Sequence, residues 1–144
     1  MKYLKIIFII LLLIIVDNST SLCKVVLPTL NEIVNNAKII IIGKVTCIKE
    51  TNNVNKEYGI EKKVTILVEE TIKGSEKIRK LDLFYYPSLS VEPEYIYDER
   101  AIFFIKKWKG KYTTVQGHAG KVSIDKGFVK PIFIKGEVTS QPLQ

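Results

Sequence analysis

His118 is the single histidine of the chain, so any imidazole base for a hydrolytic reaction would have to be this residue. It stands in Gly117-His118-Ala119-Gly120, whose glycines mark a turn. A zinc site needs three or four ligands, and no other His or Cys lies near His118 in sequence. The acidic pairs Glu69-Glu70 and Asp98-Glu99 fall in strand-like stretches, where neighbours point to opposite faces and cannot form a shared-proton dyad. There is no phosphate-cradling glycine loop and no dinucleotide fingerprint. The expectation is a protein without catalytic residues, metal or cofactor, with an atypical hydrolase using His118 as the least favoured reading.

The aromatics suggest recognition instead. Phe84, Tyr85 and Tyr86 end one apolar stretch, Tyr95 and Tyr97 follow in the next irregular one, and Lys77, Arg79 and Lys80 lie close by. Aromatics beside a positive groove can stack the bases of a single strand, but alternation buries Tyr85 with Leu81 and Leu83. Tyrosines presented on a loop suit protein recognition, which makes Tyr86, Tyr95 and Tyr97 the candidate ligand contacts.

The amino-terminal residues bear on which partners the chain meets. Lys2 and Lys5 precede an apolar run, Ile6 to Val16, followed by Asp17-Asn18-Ser19-Thr20-Ser21. At ~1.5 Å per residue the run is too short for a ~30 Å hydrocarbon core, and small residues at 19 and 21 suit a signal peptidase. Residues 1–21 are therefore expected to be a signal peptide, cleaved after Ser21, and the protein to be secreted or held at the cell surface. Their removal takes two lysines and one aspartate and lowers the formal charge from +7 to +6. The expected partner is an extracellular protein or an envelope component; nucleic acid is not expected, and a membrane enters only if the signal segment is retained or Cys23 is lipidated.

Cys23 and Cys47 both lie in the exported part, where thiols oxidise when they can meet. A bridge would close a loop worth roughly 3 kcal/mol in chain entropy. The alternatives are a lipid on Cys23, disfavoured by Leu22 where a small residue belongs, and a free pair of thiols.

These residues must be positioned by short elements. Thr29 and Glu32 form a capping-box signature for a helix whose apolar residues are Leu30, Ile33 and Val34, ending near Asn35-Asn36. Residues 38–48 read as a strand apolar on both faces, with Gly43 marking a bulge or bend, and 51–57 as a loop. Strands follow over 58–72 and 78–86, then a loop from Pro87 to Glu99. Residues 100–108 and 112–116 form a hairpin around Lys109-Gly110-Lys111, with further strands at 121–124 and 128–134. The sum is a mainly β fold of five to seven strands and one short N-terminal helix, a small closed or partly open barrel. Residues 22–136 form one domain and 137–144 a flexible tail.

Four segments together resemble a group of small exported bacterial proteins: Leu30 to Val45, with its Ile-Ile-Ile-Ile-Gly-Lys-Val; Val68 to Gly74; Asp98 to Ile105; and Gly117 to Val122. The order of elements is also similar to the OB-fold barrel of tissue metalloproteinase inhibitors and netrin-type modules. That resemblance implies an OB-like barrel and, as an alternative function, inhibition of an extracellular metalloprotease. Those inhibitors present an N-terminal cysteine to a catalytic zinc, with a second cysteine two residues on. Here the expected first residue is Leu22, and Val25 stands two after Cys23. The leading expectation is therefore a secreted non-enzymatic binding module that meets its ligand through the loop Pro87–Glu99 and basic strand edges.

Overall fold

A computed structural model describes residues 28–74 and 78–129. The signal segment, its cleavage site, Cys23 and the tail 137–144 lie outside the described residues.

Helix α1, Leu30–Asn36, begins as its capping box requires: the Thr29 amide donates to Glu32 Oε2 (2.7 Å) and the Glu32 amide to Thr29 Oγ1 (3.3 Å). Two turns are too few to persist alone, so the helix is held by what it buries. Ile33 is fully buried, while Leu30, expected on the same face, stays exposed. Lys73 Nζ donates to the Val34 carbonyl (2.8 Å), placing a cation at the helix's negative end.

Seven antiparallel strands follow: β1 Ile39–Asn55, β2 Gly59–Lys73, β3 Lys80–Tyr85, β4 Arg100–Trp108, β5 Lys111–Thr114, β6 Lys121–Asp125 and β7 Phe128–Val129. Their order is β3-β2-β1-β4-β6-β7, with β5 on β4 beyond the stretch that β6 occupies. Residues 40–44 of β1 pair on both sides, with β2 and β4; beyond them β1 pairs with β2 alone, as a two-stranded ribbon. β3 and β5 then come alongside each other without pairing, so the sheet curls into an OB-like barrel that stays partly open.

The expected bend at Gly43 is present, as a register shift between Ile42 and Gly43. The expected loop at 51–57 is shorter: β1 runs to Asn55, with Val54 opposite Ile60, and only residues 56–58 turn. Glu50 pairs with Lys62, and Val54 and Asn55 pair with Ile60 and Gly59, so residues 51–53 span a register shift in an otherwise extended strand; the Asn55 side chain closes the turn by accepting from the amides of Glu57 (2.8 Å) and Tyr58 (3.2 Å).

The double-sided apolar character of β1 and β4 has a direct cause. Ile41, Val45, Phe103 and Ile105 face one core with Val64, Ile66, Leu81 and Leu83, inside the barrel. Ile40 and Phe104 face the other way, onto a second core with Ile33, Ala37, Val115, Ala119 and Val122. The helix and the 3-10 turn Gly117–Gly120 thus cover the back of the sheet.

Cys47 carries a free thiol, opposite Thr65 in the β1–β2 ladder; Cys23, the other half of the possible bridge, lies outside the described residues. No second cysteine lies among the described residues to meet it.

Candidate ligand cleft

Across the open side of the barrel lies a cleft of about 680 Å³, within the usual range for small-ligand sites, about 300–1,000 Å³. One wall is the tip of the β1–β2 ribbon, from Asn53 to Tyr58. The second is the β4–β5 hairpin, and the third is the end of β3 with the loop that follows it. The β1–β2 and β4–β5 junctions both border this cleft.

The hairpin register explains which hairpin residues face it. Lys106 pairs with Thr113, Lys107 with Tyr112 and Trp108 with Lys111, and residues directly opposite share a face. Lys106, Trp108, Lys111 and Thr113 therefore look into the cleft, whereas Lys107 stands over the Tyr112 ring on the other face (5.9 Å). Trp108 is 56% exposed, with the Lys109 ammonium 4.5 Å from its ring centroid. Across the cleft, Tyr58 and Tyr86 form a tilted pair (5.9 Å), and Tyr86 Oη accepts from Asn53 Nδ2 (3.1 Å).

Lys111 spans the gap between β5 and β3. It donates to both oxygens of buried Glu61 (2.6 and 2.7 Å), and its ammonium lies 4.8 Å from the Phe84 centroid. Burial alone would raise the Glu61 carboxyl, but hydrogen bonds from Lys111, Thr51 and Asn53 outweigh it and hold the group below its ordinary value. Asp82 is also held low, by the Thr65 hydroxyl (2.7 Å) and Lys63 (3.2 Å). Both groups bind a proton more weakly folded than unfolded, so their stabilisation is complete above the ordinary carboxylate pKa and lost as pH falls through the lower folded values. Unfolding free energy is expected to fall below about pH 4, and Glu61→Gln to flatten that limb; an unchanged acid limb in urea titrations would refute the role.

The loop 86–99 is strapped down at several points. Ser88 Oγ donates to the Tyr58 carbonyl, His118 Nε2 to the Ser90 carbonyl, and Lys121 Nζ to the Glu94 carbonyl and Glu99 Oε2 (2.6 Å). Gly117, at φ +60°, lies directly under it: a Cβ there would meet the Val91 carbonyl oxygen at 1.8 Å. Gly117→Ala is expected to lift the loop, lowering stability by about 2 kcal/mol and exposing 87–99 to limited proteolysis; wild-type cleavage kinetics would contradict this packing.

Polar groups at the cleft's inner end are left over. Thr114, only 3% exposed, lines the cleft, and its Oγ1 is buried without a hydrogen bond. Glu92 also lines it with Oε2 buried and unpaired, and burial raises its carboxyl despite the nearby charges of Lys106 and His118. Tyr95 is beside them: burial pushes its hydroxyl far up, and neighbouring Thr114 opposes the rise without completing a well-formed hydrogen bond.

The structure separates the three candidate tyrosines. Tyr86 lines the cleft. Tyr95 is 7% exposed, its ring packed against Tyr85 (4.7 Å) and stacked on Phe103 (6.5 Å) inside the first core. Tyr97 is 68% exposed, outside the cleft lining, beside the Lys44–Asp98 ion pair (2.7 Å). His118 is occupied as a strap, Glu69 pairs with Arg100 (2.6 Å) and Glu99 with Lys121. Among the described residues, no three His, Cys, Asp or Glu side chains gather to hold a metal. Sequence reasoning missed Lys106, Trp108, Lys109 and Lys111; the available signal was a lone tryptophan among lysines at a hairpin turn.

No family model, no curated protein and no solved structure matches this chain.

Proposed function

We propose that this chain is an exported, non-enzymatic binding module that takes a protein or cell-envelope ligand in the cleft between the β1–β2 ribbon and the β4–β5 hairpin. The observation that carries the reading is a cleft with aromatic walls and a lysine rim on a strapped barrel. A rigid scaffold with polar and aromatic groups converging on one opening is how a preformed site limits the entropy lost on binding. Export supplies the compartment, through the lysine-flanked apolar segment ahead of Ser21.

Trp108 is the single tryptophan, so its emission reports on the cleft directly. Solubilised envelope and culture-supernatant fractions are expected to shift that emission in a saturable way, with the shift weakened in Tyr86→Ala. If no fraction perturbs Trp108, or if Tyr86→Ala responds like wild type, the cleft is not the site. Cell fractionation tests the address independently: recovery of the uncleaved chain in the cytosol would remove the export half of the reading.

A further inference from the structure

We infer that the two hairpin tips flanking the cleft form a docking surface for an anionic lipid bilayer met end-on, and this rests on the exported address proposed above but not on what fills the cleft. The tip of the β1–β2 ribbon carries exposed apolar side chains. Val54 pairs with Ile60 and so shares a face with it, the two are 68% and 42% exposed, and Tyr58 stands in the turn between them. Lys56 and Glu57 cancel in that turn, which leaves the tip apolar. The β4–β5 hairpin ends in Lys106-Lys107-Trp108-Lys109-Gly110-Lys111, a run with four lysines and no acid. Val54, Tyr58 and Trp108 border one opening, so the apolar tip and the cationic tip stand side by side at it.

Exposed apolar patches mark contact with a protein or a membrane. Aromatics beside lysines are the composition of a membrane interface, where an indole sits at headgroup depth and ammonium groups meet lipid phosphates. The Lys109 ammonium, 4.5 Å from the Trp108 centroid, holds charge and ring together at the hairpin's end.

The placement of charge selects the partner. Lys111 is held by Glu61 and Lys106 lies near the charge of Glu92, so the free attraction falls to Lys107 and Lys109, for which no ion pair is formed among the described residues. Lys107 is outside the cleft lining, on the opposite face of the hairpin. A ligand lying in the cleft leaves it unused, whereas a flat anionic surface approached by the tips meets both faces of the hairpin at once. A second copy is disfavoured, since a two-fold contact through this patch sets the same lysines against each other. A nucleic acid offers nothing to Val54 and Ile60. A folded acidic protein would need a cavity matched to each protruding tip, and a fluid interface admits them without one. The contact needs neither a retained signal segment nor a lipid on Cys23.

The test uses the full exported chain with vesicles of phosphatidylcholine alone and of phosphatidylcholine and phosphatidylglycerol in equal parts, read by co-sedimentation and Trp108 emission. Binding to the anionic vesicles is expected to be at least about ten-fold tighter than to the neutral ones, to weaken as salt screens the charge, and to shift Trp108 emission to the blue. Trp108→Ala, Lys107→Ala/Lys109→Ala and Val54→Ser/Ile60→Ser are each expected to weaken co-sedimentation about five-fold or more, with their unfolding midpoints checked against wild type. Lys126→Ala should sediment as wild type does, because β6 runs antiparallel to β4 and carries its end toward Arg100, away from Trp108.

Equal binding to both vesicles, or to neither, overturns the lipid surface. Anionic binding that ignores all three tip variants overturns its placement. Tighter binding of a polyglutamate peptide or oligo-dT than of anionic vesicles, lost in Lys107→Ala/Lys109→Ala, gives the tips to another polyanion and overturns the bilayer. A saturable Trp108 shift with delipidated envelope fractions and none with vesicles removes the bilayer and leaves the cleft reading standing; silence toward both removes both.

Discussion

Phe103→Ala is expected to lower the unfolding free energy by about 4 kcal/mol, read from urea denaturation with the m-value unchanged. Phe103 is fully buried at the centre of β4, opposite Ile41 on β1 and Lys121 on β6. It also supports Tyr95, whose ring lies parallel to it within 9°. Truncation removes the transfer energy of the ring and leaves a cavity that two flanking strands cannot collapse to fill. Set against a total stability of about 5–15 kcal/mol for a domain of this kind, the loss is a large share. Because Tyr95 reaches toward Glu92 and Thr114, the same change should loosen the cleft's inner end and blunt any ligand-induced shift of Trp108. A loss below about 1.5 kcal/mol would mean that the ring is not the centre of the barrel core.

Gly43→Ala is expected to cost about 3 kcal/mol, near the top of the overpacking range, although it adds one methyl group. That methyl would lie 2.6 Å from Ile66 Cγ2 and 2.7 Å from the Leu67 carbonyl oxygen. The Ile66 side chain can turn aside; the carbonyl belongs to β2, which is held by β1 on one edge and β3 on the other. A double-mutant cycle separates the two contacts. Ile66→Ala should relieve only part of the Gly43→Ala penalty, because the backbone contact persists. Full relief would assign the clash to the side chain alone, and a Gly43→Ala variant within 0.5 kcal/mol of wild type would show that the strands part easily here.

Legibility differed sharply between fold and site. The capping box at Thr29 and Glu32, the bulge at Gly43 and strand β4 from Arg100 to Trp108 were readable because each is set by local chemistry: a side chain reaching its own helix end, a missing Cβ, an apolar run between turn signals. Leu30 was misplaced because a helix pattern gives a face without saying how much of that face its partner covers. The asparagines of the ribbon speak for a loop at 51–57, whereas the chain stays extended through Asn53 because Glu50 and Val54 on either side are paired with Lys62 and Ile60 of β2.

The three tyrosines show the same limit. All three stand in or beside the loop Pro87–Glu99, yet one lines the cleft, one is buried in the core and one faces solvent, since straps from Lys121 and His118 decide how the loop lies. By itself the sequence determined a β-rich chain with a capped helix, a bend at Gly43 and apolar strands needing cover on both faces, all consequences of short-range sterics and hydrophobic pattern. Only the tertiary structure decided where that cover comes from and which residues meet across the open side: Lys111 of β5 reaches Glu61 of β2, and Trp108 shares a cleft with Tyr86. These partners are far apart in the chain, and what joins them is the curl of the whole sheet, which no local pattern encodes.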